Sequence, residues 1–275
     1  MRVSTNINSM TAMRYVQQHT DEQAIEDTQL SSGDRIVRAE VDPAGLAISE
    51  GMRARLRSNM QAERNSNDSI SLLQVAEGSL GVMQQMGVRL RELAMQAAND
   101  TLGSGERLVV DSEFQQLKQE VARITASTTF NGNHIIKGSS SVYELQVGIN
   151  GTPENDRLRY DMGKIMDSKG NFGIENVDVK TKFAAQNSLG KLDKMMSDIG
   201  ASRAQLGSME TRIQSVVQNL QTYRENTSSS NSKIRDTDFA KETVNRIKSQ
   251  IGQSASLAML KISNDQPAVI LKLVS

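Results

Sequence analysis

Leu192–Tyr223 reads LDKMMSDIGASRAQLGSMETRIQSVVQNLQTY. In it Leu192, Met195, Ile199, Ser202, Leu206, Met209, Ile213, Val216, Leu220 and Tyr223 follow one another at alternating steps of three and four. A seven-residue repeat sustained over that length keeps one stripe facing a partner only when helices wind around each other left-handedly. The segment therefore needs another long helix beside it. The chain supplies one upstream, where Leu73, Ala76, Leu80, Met83, Gly87, Leu90, Ala94 and Ala97 form a second seam. Leu72, Val75, Val82, Met86 and Leu93 flank that seam, a face wide enough for more than one neighbour, as in a bundle. The pattern predicts a helix over Pro43–Ala98, roughly 80 Å long at about 1.5 Å per residue. Gly78, Gly81 and Gly87 would each cost about 1 kcal/mol in its interior, which tertiary packing must offset.

Asn99–Glu106 (NDTLGSGE) reads as a loop, and Leu108, Asp111, Phe114, Leu117, Val121 and Ile124 predict a further helix to about Ser127. From Phe130 to about Lys182 the character changes. FNGNHIIKG, SVYELQVGING and RLRYDM are short β-prone runs bounded by Asn-Gly and Gly, the signature of one or two hairpins. Polar SSSNS at Ser228–Ser232 is expected to break the long helix before a last one. In that last helix Ala240, Val244, Ile247, Ile251, Ala255, Ala258 and Ile262 align. A sparser stripe of Val3, Ile7, Met10, Met13 and Val16 marks the N-terminal helix. Helix nucleation is costly, so these terminal segments need each other and further copies. The fold class is mainly α: a long antiparallel helical hairpin or coiled-coil bundle with a small β-hairpin region.

Composition supports an elongated helical protein. Across 275 residues there are no Trp, five Phe, four Tyr and 14 Met, which suits helix seams better than a globular aromatic core. Lys and Arg number 32, as do Asp and Glu, so the positive excess that nucleic-acid binding needs is missing. No cysteine is present, which removes disulfides, thiolate metal sites and cysteine nucleophiles. MRVSTNINSMTAMRY lacks the apolar core of a secretory signal peptide, and no apolar run approaches the about 18 residues of a membrane span.

Sites of chemistry are equally sparse. His19 and His134 stand alone without metal-ligand spacing, and GxGxxG, GxxxxGK[ST] and GxSxG do not occur. No cofactor, metal or catalytic residue is assigned. The stretch LSSGDRIVRAEVDPAGLAIS (Leu30–Ser49) could suggest an anion nest with Arg35 and Arg38. The stronger reading is a joint between helices. Gly33 can leave the helical region, Asp42 can cap the next helix, and Pro43 suits its first turn.

LSSGDRIVRAEVDPAGLAISEGMRARL followed by NSNDSISLLQVAEGSL resembles the N-terminal signature of bacterial flagellins. VRLRELAMQAAND, FNGNHIIKG, LQVGING, IRDTDFAKE and QIGQSASLAML continue the resemblance in the family's order. It implies a structural subunit, not an enzyme, that self-polymerises into the flagellar filament for swimming motility. It implies export by the flagellar type III apparatus without a cleaved signal peptide, and an extracellular location.

The implied domains are an inner terminal coiled coil lining the channel (1–41 with 236–275) and an outer helical domain (42–235) whose hairpins lie at about 130–182. No large variable outer domain has room. The implied polymerisation seams are Ile7, Met10, Ala240, Val244, Ile247, Ile251, Ala258 and Ile262, and the inter-domain joint comprises Gly33, Arg35, Arg38, Asp42 and Pro43. The implied partners are other flagellin copies, hook-associated and cap proteins, and an export chaperone. A host Toll-like receptor would read Arg89, Leu93 and Glu113, positions that also suit subunit contacts. The family usually carries two acids and an alanine before AGLAI, where this chain has Val41-Asp42-Pro43. Rival readings are a hook-filament junction protein and a cytosolic helical signalling scaffold.

Overall fold

The computed structural model describes residues 6–136, 142–161 and 172–274. The helices are α1 (Ile7–Ser32), α2 (Pro43–Ala97), α3 (Ser104–Ser127), the single turn α4 (Pro153–Asp156), α5 (Lys182–Arg235) and α6 (Phe239–Val274). The strands are β1 (Thr129–Phe130), β2 (Asn133–His134), β3 (Val142–Gln146) and β4 (Arg157–Asp161). The contacts divide the chain into two compact units. One takes the chain up to Leu56 together with Glu225 onward, and the other is Arg57–Arg224. These divisions fall inside α2 and α5, farther from the termini than the sequence-based limits at 41 and 236.

In the unit Arg57–Arg224, α2 and α5 run antiparallel along the two heptad seams. All eight seam positions of α2 are buried, as are Leu192, Met195, Ile199, Ser202, Leu206 and Ile213 of α5. They form one core with Phe114 and Val121 of α3, and with Ile135, Ile136, Val147, Leu158 and Tyr160 around the strands. Gly87 lets the backbones approach: a Cβ there would stand 3.2 Å from Met196 Cγ. The rim is polar, with Asn59 Nδ2 donating to the Leu220 carbonyl at 2.7 Å and ion pairs Arg224–Glu63 at 2.7 Å and Arg91–Asp193 at 2.7 Å. Val75 and Val82, expected to widen the buried face, are instead exposed.

The β1–β2 hairpin pairs Phe130 with Asn133 across Asn131-Gly132, and both turn residues have positive φ (49° and 80°). That is the backbone a two-residue type I′ turn demands. The second hairpin pairs Tyr143 with Tyr160 and Leu145 with Leu158. Parts of the predicted β region, residues 137–141 and 162–171, lie outside the described residues.

One expectation is overturned: SSSNS does not end a helix, because α5 continues to Arg235. Ser230 Oγ donates to the Asn226 carbonyl one turn back at 2.8 Å. Serine in a helix costs only tenths of a kcal/mol, partly by such back-bonding, which bends a long helix without stopping it. The break falls at Asp236–Asp238, where Asp238 Oδ1 accepts the amides of Ala240 (3.0 Å) and Lys241 (3.2 Å) to start α6.

Candidate assembly interface

Two connectors meet in the terminal unit. Gly33 ends α1 in the left-handed conformation (φ 74°), its N–H donating to the Gln29 carbonyl, as glycine at that position permits. Asp42 Oδ1 accepts the Gly45 amide at 2.8 Å, and Pro43 opens α2. A Cβ at Gly45 would stand 2.9 Å from Ile36 Cδ1, so this glycine lets buried Ile36 plug the joint. Arg35 reaches across to the end of α5. Its Nη2 and Nε donate to the Ile234 carbonyl at 2.8 and 3.1 Å, and its amide to the Arg235 carbonyl at 2.6 Å. A cation on the last carbonyls of a helix is favoured by the macrodipole.

The reply comes from Arg235, which pairs with Asp34 at 3.1 Å and Glu50 at 2.6 Å. Thr237 closes the bridge by donating its amide to the Gly33 carbonyl at 2.9 Å. Of the expected joint residues, Gly33, Arg35, Asp42 and Pro43 lie together, whereas among the described residues Arg38 pairs only with exposed Glu40 at 3.3 Å. Arg235 and Gln29, whose Nε2 donates to the Arg35 carbonyl, escaped the sequence reading. The available signal was a second polar connector, RDTD, at Arg235–Asp238.

Beyond the joint, α1 and α6 pair antiparallel through polar and small side chains. Asn6 Nδ2 donates to the Ser263 carbonyl (2.7 Å), Gln253 Nε2 to Thr20 Oγ1 (2.9 Å) and Ser249 Oγ to Glu26 Oε1 (2.9 Å), while Arg246 pairs with Asp27 (2.6 Å). Gly252 lies beneath the His19 ring, where a Cβ would come 2.8 Å from Nε2. Glu26 Oε2 is buried without a hydrogen-bond partner among the described residues. Desolvation, and then the neighbouring Glu242, Glu22 and Asp27 charges, raise its carboxyl above the usual range against the opposing Ser249 hydrogen bond.

The apolar stripe of α6 faces the other way. Val244, Ile247, Ile251 and Ile262 are 51–65% exposed, and Ala240, Ala255 and Ala258 are exposed between them. On α1, Ile7, Met10 and Met13 are exposed as well. Sequence reasoning followed the apolar period and so missed the spacing that pairs the helices, Asn245, Ser249, Gly252 and Ser256.

The positions expected to meet a receptor are split. Arg89 and Glu113 pair at 2.8 Å between α2 and α3 on the surface, whereas Leu93 is 2% exposed and packed in the core. Among the described residues no helix is long and apolar enough to cross a membrane.

Residues 3–141 match the bacterial flagellin N-terminal helical region, and residues 189–274 match the bacterial flagellin C-terminal helical region. The chain belongs to the bacterial flagellin family. A flagellin of Halalkalibacterium halodurans is 36% identical over 274 residues, covering 100% of each chain. A flagellar filament core protein of Brachyspira hyodysenteriae is 32% identical over 287 residues, again covering 100% of both. A solved Vibrio parahaemolyticus structure, assigned as a flagellar hook-associated protein, shares the fold alone. Its TM-score is 0.61 at 12% identity, over 71% of this chain and 100% of that one.

Proposed function

We propose that the exposed apolar stripes of α1 and α6 are the surfaces through which this flagellin polymerises. The chain is a structural subunit of the extracellular flagellar filament and not an enzyme. The observation carrying the finer reading is the reversed amphipathicity of the terminal pair: polar and small residues join α1 to α6, and Val244, Ile247, Ile251 and Ile262 face solvent. Fully burying one such side chain is worth roughly 1.5–3 kcal/mol. A half-exposed residue has about half of that left to gain, so the four together offer about 3–6 kcal/mol, which meets the lower end of the association cost of about 4–15 kcal/mol and leaves the rest to the α1 stripe and further contacts. On this reading the stripe meets a different surface of the next copy, so each contact repeats head to tail and builds an open helical array.

A largely polar pairing gives the terminal helices little reason to fold in a free subunit, so residues 1–41 and 236–275 order as they associate. They form the inner coil along the channel, with 42–235 as the outer domain. The connector built on Gly33, Arg35, Asp42 and Pro43 joins the two, and Arg38 and Glu40 remain available to neighbouring subunits. Export as an unfolded chain by the flagellar type III apparatus, without a cleaved signal peptide, fits segments that fold only on assembly. An export chaperone, hook-associated proteins and the cap then act before and at the growing end. A Toll-like receptor would have Arg89 and Glu113 to read on a free subunit. A hook-filament junction role is not favoured, because the full-length similarity is to filament proteins.

The test is Ile251→Asp and Ile7→Asp. Each variant is expected to abolish filaments in electron micrographs while the Arg57–Arg224 unit keeps its helical circular dichroism. Normal filaments from either would overturn the reading.

A further inference from the structure

The chain contains 14 Met and no Cys, so thioethers are its only oxidisable sulfurs. Their burial is graded, with Met60 and Met95 of α2 44% and 55% exposed between the extremes. Met83 and Met195 are fully buried in the core, whereas Met10, Met13 and Met259 of the terminal pair are 60–66% exposed. Met259 also lines a groove of about 410 Å³ between α1 and α6, with Thr11, Tyr15 and Ile262 among its walls. All three therefore sit on or beside the surfaces assigned above to contacts between copies.

We propose that Met10, Met13 and Met259 form an oxidant-sensitive modification site that blocks assembly of the free subunit and is sealed by assembly itself. The inference rests on the assembly reading. The oxidant class is a peroxide. A sulfur lone pair attacks one peroxide oxygen, the O–O bond breaks as the S–O bond forms, and the departing hydroxide takes the remaining proton as water. One thioether and one hydrogen peroxide give one sulfoxide and one water, the sulfur being oxidised by two electrons. The product replaces a flexible apolar side chain with a polar one. A neighbouring copy would then bury a sulfoxide oxygen without a hydrogen-bond donor, which opposes association. Reduction of the sulfoxide restores the thioether and the assembly competence with it.

The experiment treats free subunit and preformed filament with hydrogen peroxide, maps sulfoxide by peptide mass spectrometry, and measures residual soluble subunit after induced polymerisation. In free subunit Met10, Met13 and Met259 oxidise well ahead of Met83 and Met195, and in filament they are protected. Oxidised subunit leaves about tenfold or more soluble protein, as burial of unpartnered polar groups requires. The variant Met10→Leu/Met13→Leu/Met259→Leu polymerises the same before and after peroxide. Equal oxidation of the three in filament and free subunit overturns the proposal. So does loss of polymerisation by the oxidised leucine variant, which would place the effect at other methionines. The Ile251→Asp variant involves no oxidation, so failure of the assembly reading is seen separately.

Discussion

Gly252→Leu tests whether α1 and α6 pair as closely as their polar contacts require. A Cβ at this position would lie 2.8, 2.9 and 3.1 Å from His19 Nε2, Cε1 and Cδ2, and a leucine carries three further carbons into the same space. Two effects compete. Leucine improves helix propensity over glycine by about 0.8 kcal/mol, which helps α6 alone. Overpacking a close contact costs about 1–3 kcal/mol, and it acts only on the paired state. The net weakening of the paired helices is about 0.2–2.2 kcal/mol, with a midpoint near 1.2 that is close to tenfold in an equilibrium, since about 1.4 kcal/mol is a factor of ten. Sedimentation after polymerisation should therefore show about tenfold more residual soluble subunit than for the parent chain. His19→Ala removes the opposing ring, so the double variant should recover most of the loss. If it polymerises no better than Gly252→Leu alone, the steric argument is wrong.

Arg235→Ala removes the pairs to Asp34 and Glu50, whose partly exposed setting limits the loss to about 1 kcal/mol. A small fall in filament melting temperature is expected, and no fall would show that the joint is held by its backbone bonds and Ile36 alone. The raised Glu26 carboxyl gives the terminal pair a pH dependence. A folded-state value above the unfolded 4.5 makes its contribution complete below 4.5 and lost as pH rises through the folded value. Polymerisation measured by sedimentation should strengthen as pH falls through that window, and Glu26→Gln should flatten the response. Phe114→Ala opens the core of the Arg57–Arg224 unit where the ring is fully buried. It should cost about 3–5 kcal/mol in urea unfolding of the subunit.

Heptad spacing made the long helices legible, because seam positions of α2 and α5 must be apolar or small to lie against each other. Asn131-Gly132 made the first hairpin legible through the positive φ its turn demands. SSSNS misled because the tenths of a kcal/mol that serine costs cannot stop a helix whose flanks are in place. Val75 and Val82 misled because an apolar flank is equally suited to a contact outside the subunit. That α1 meets α6 was expected, but the face by which they meet was hidden for a related reason: its Asn245, Ser249 and Gly252 spacing carries no hydrophobic signal, while the apolar stripe beside it does. Arg35 could be picked out as a joint residue from its sequence neighbours. Its target, the Ile234 carbonyl, is 199 residues away and becomes visible only once the two connectors lie together.

The absence of cysteine permits a direct measurement of the central claim. Single Val244→Cys, Ile247→Cys and Ile251→Cys chains can be reacted with a maleimide as free subunit and as filament, with the reaction rate read by mass spectrometry. The exposed stripe should label rapidly in the free subunit and be strongly protected in the filament. Equal labelling in both states would mean that other copies do not cover this face, and the proposed route of polymerisation would be wrong.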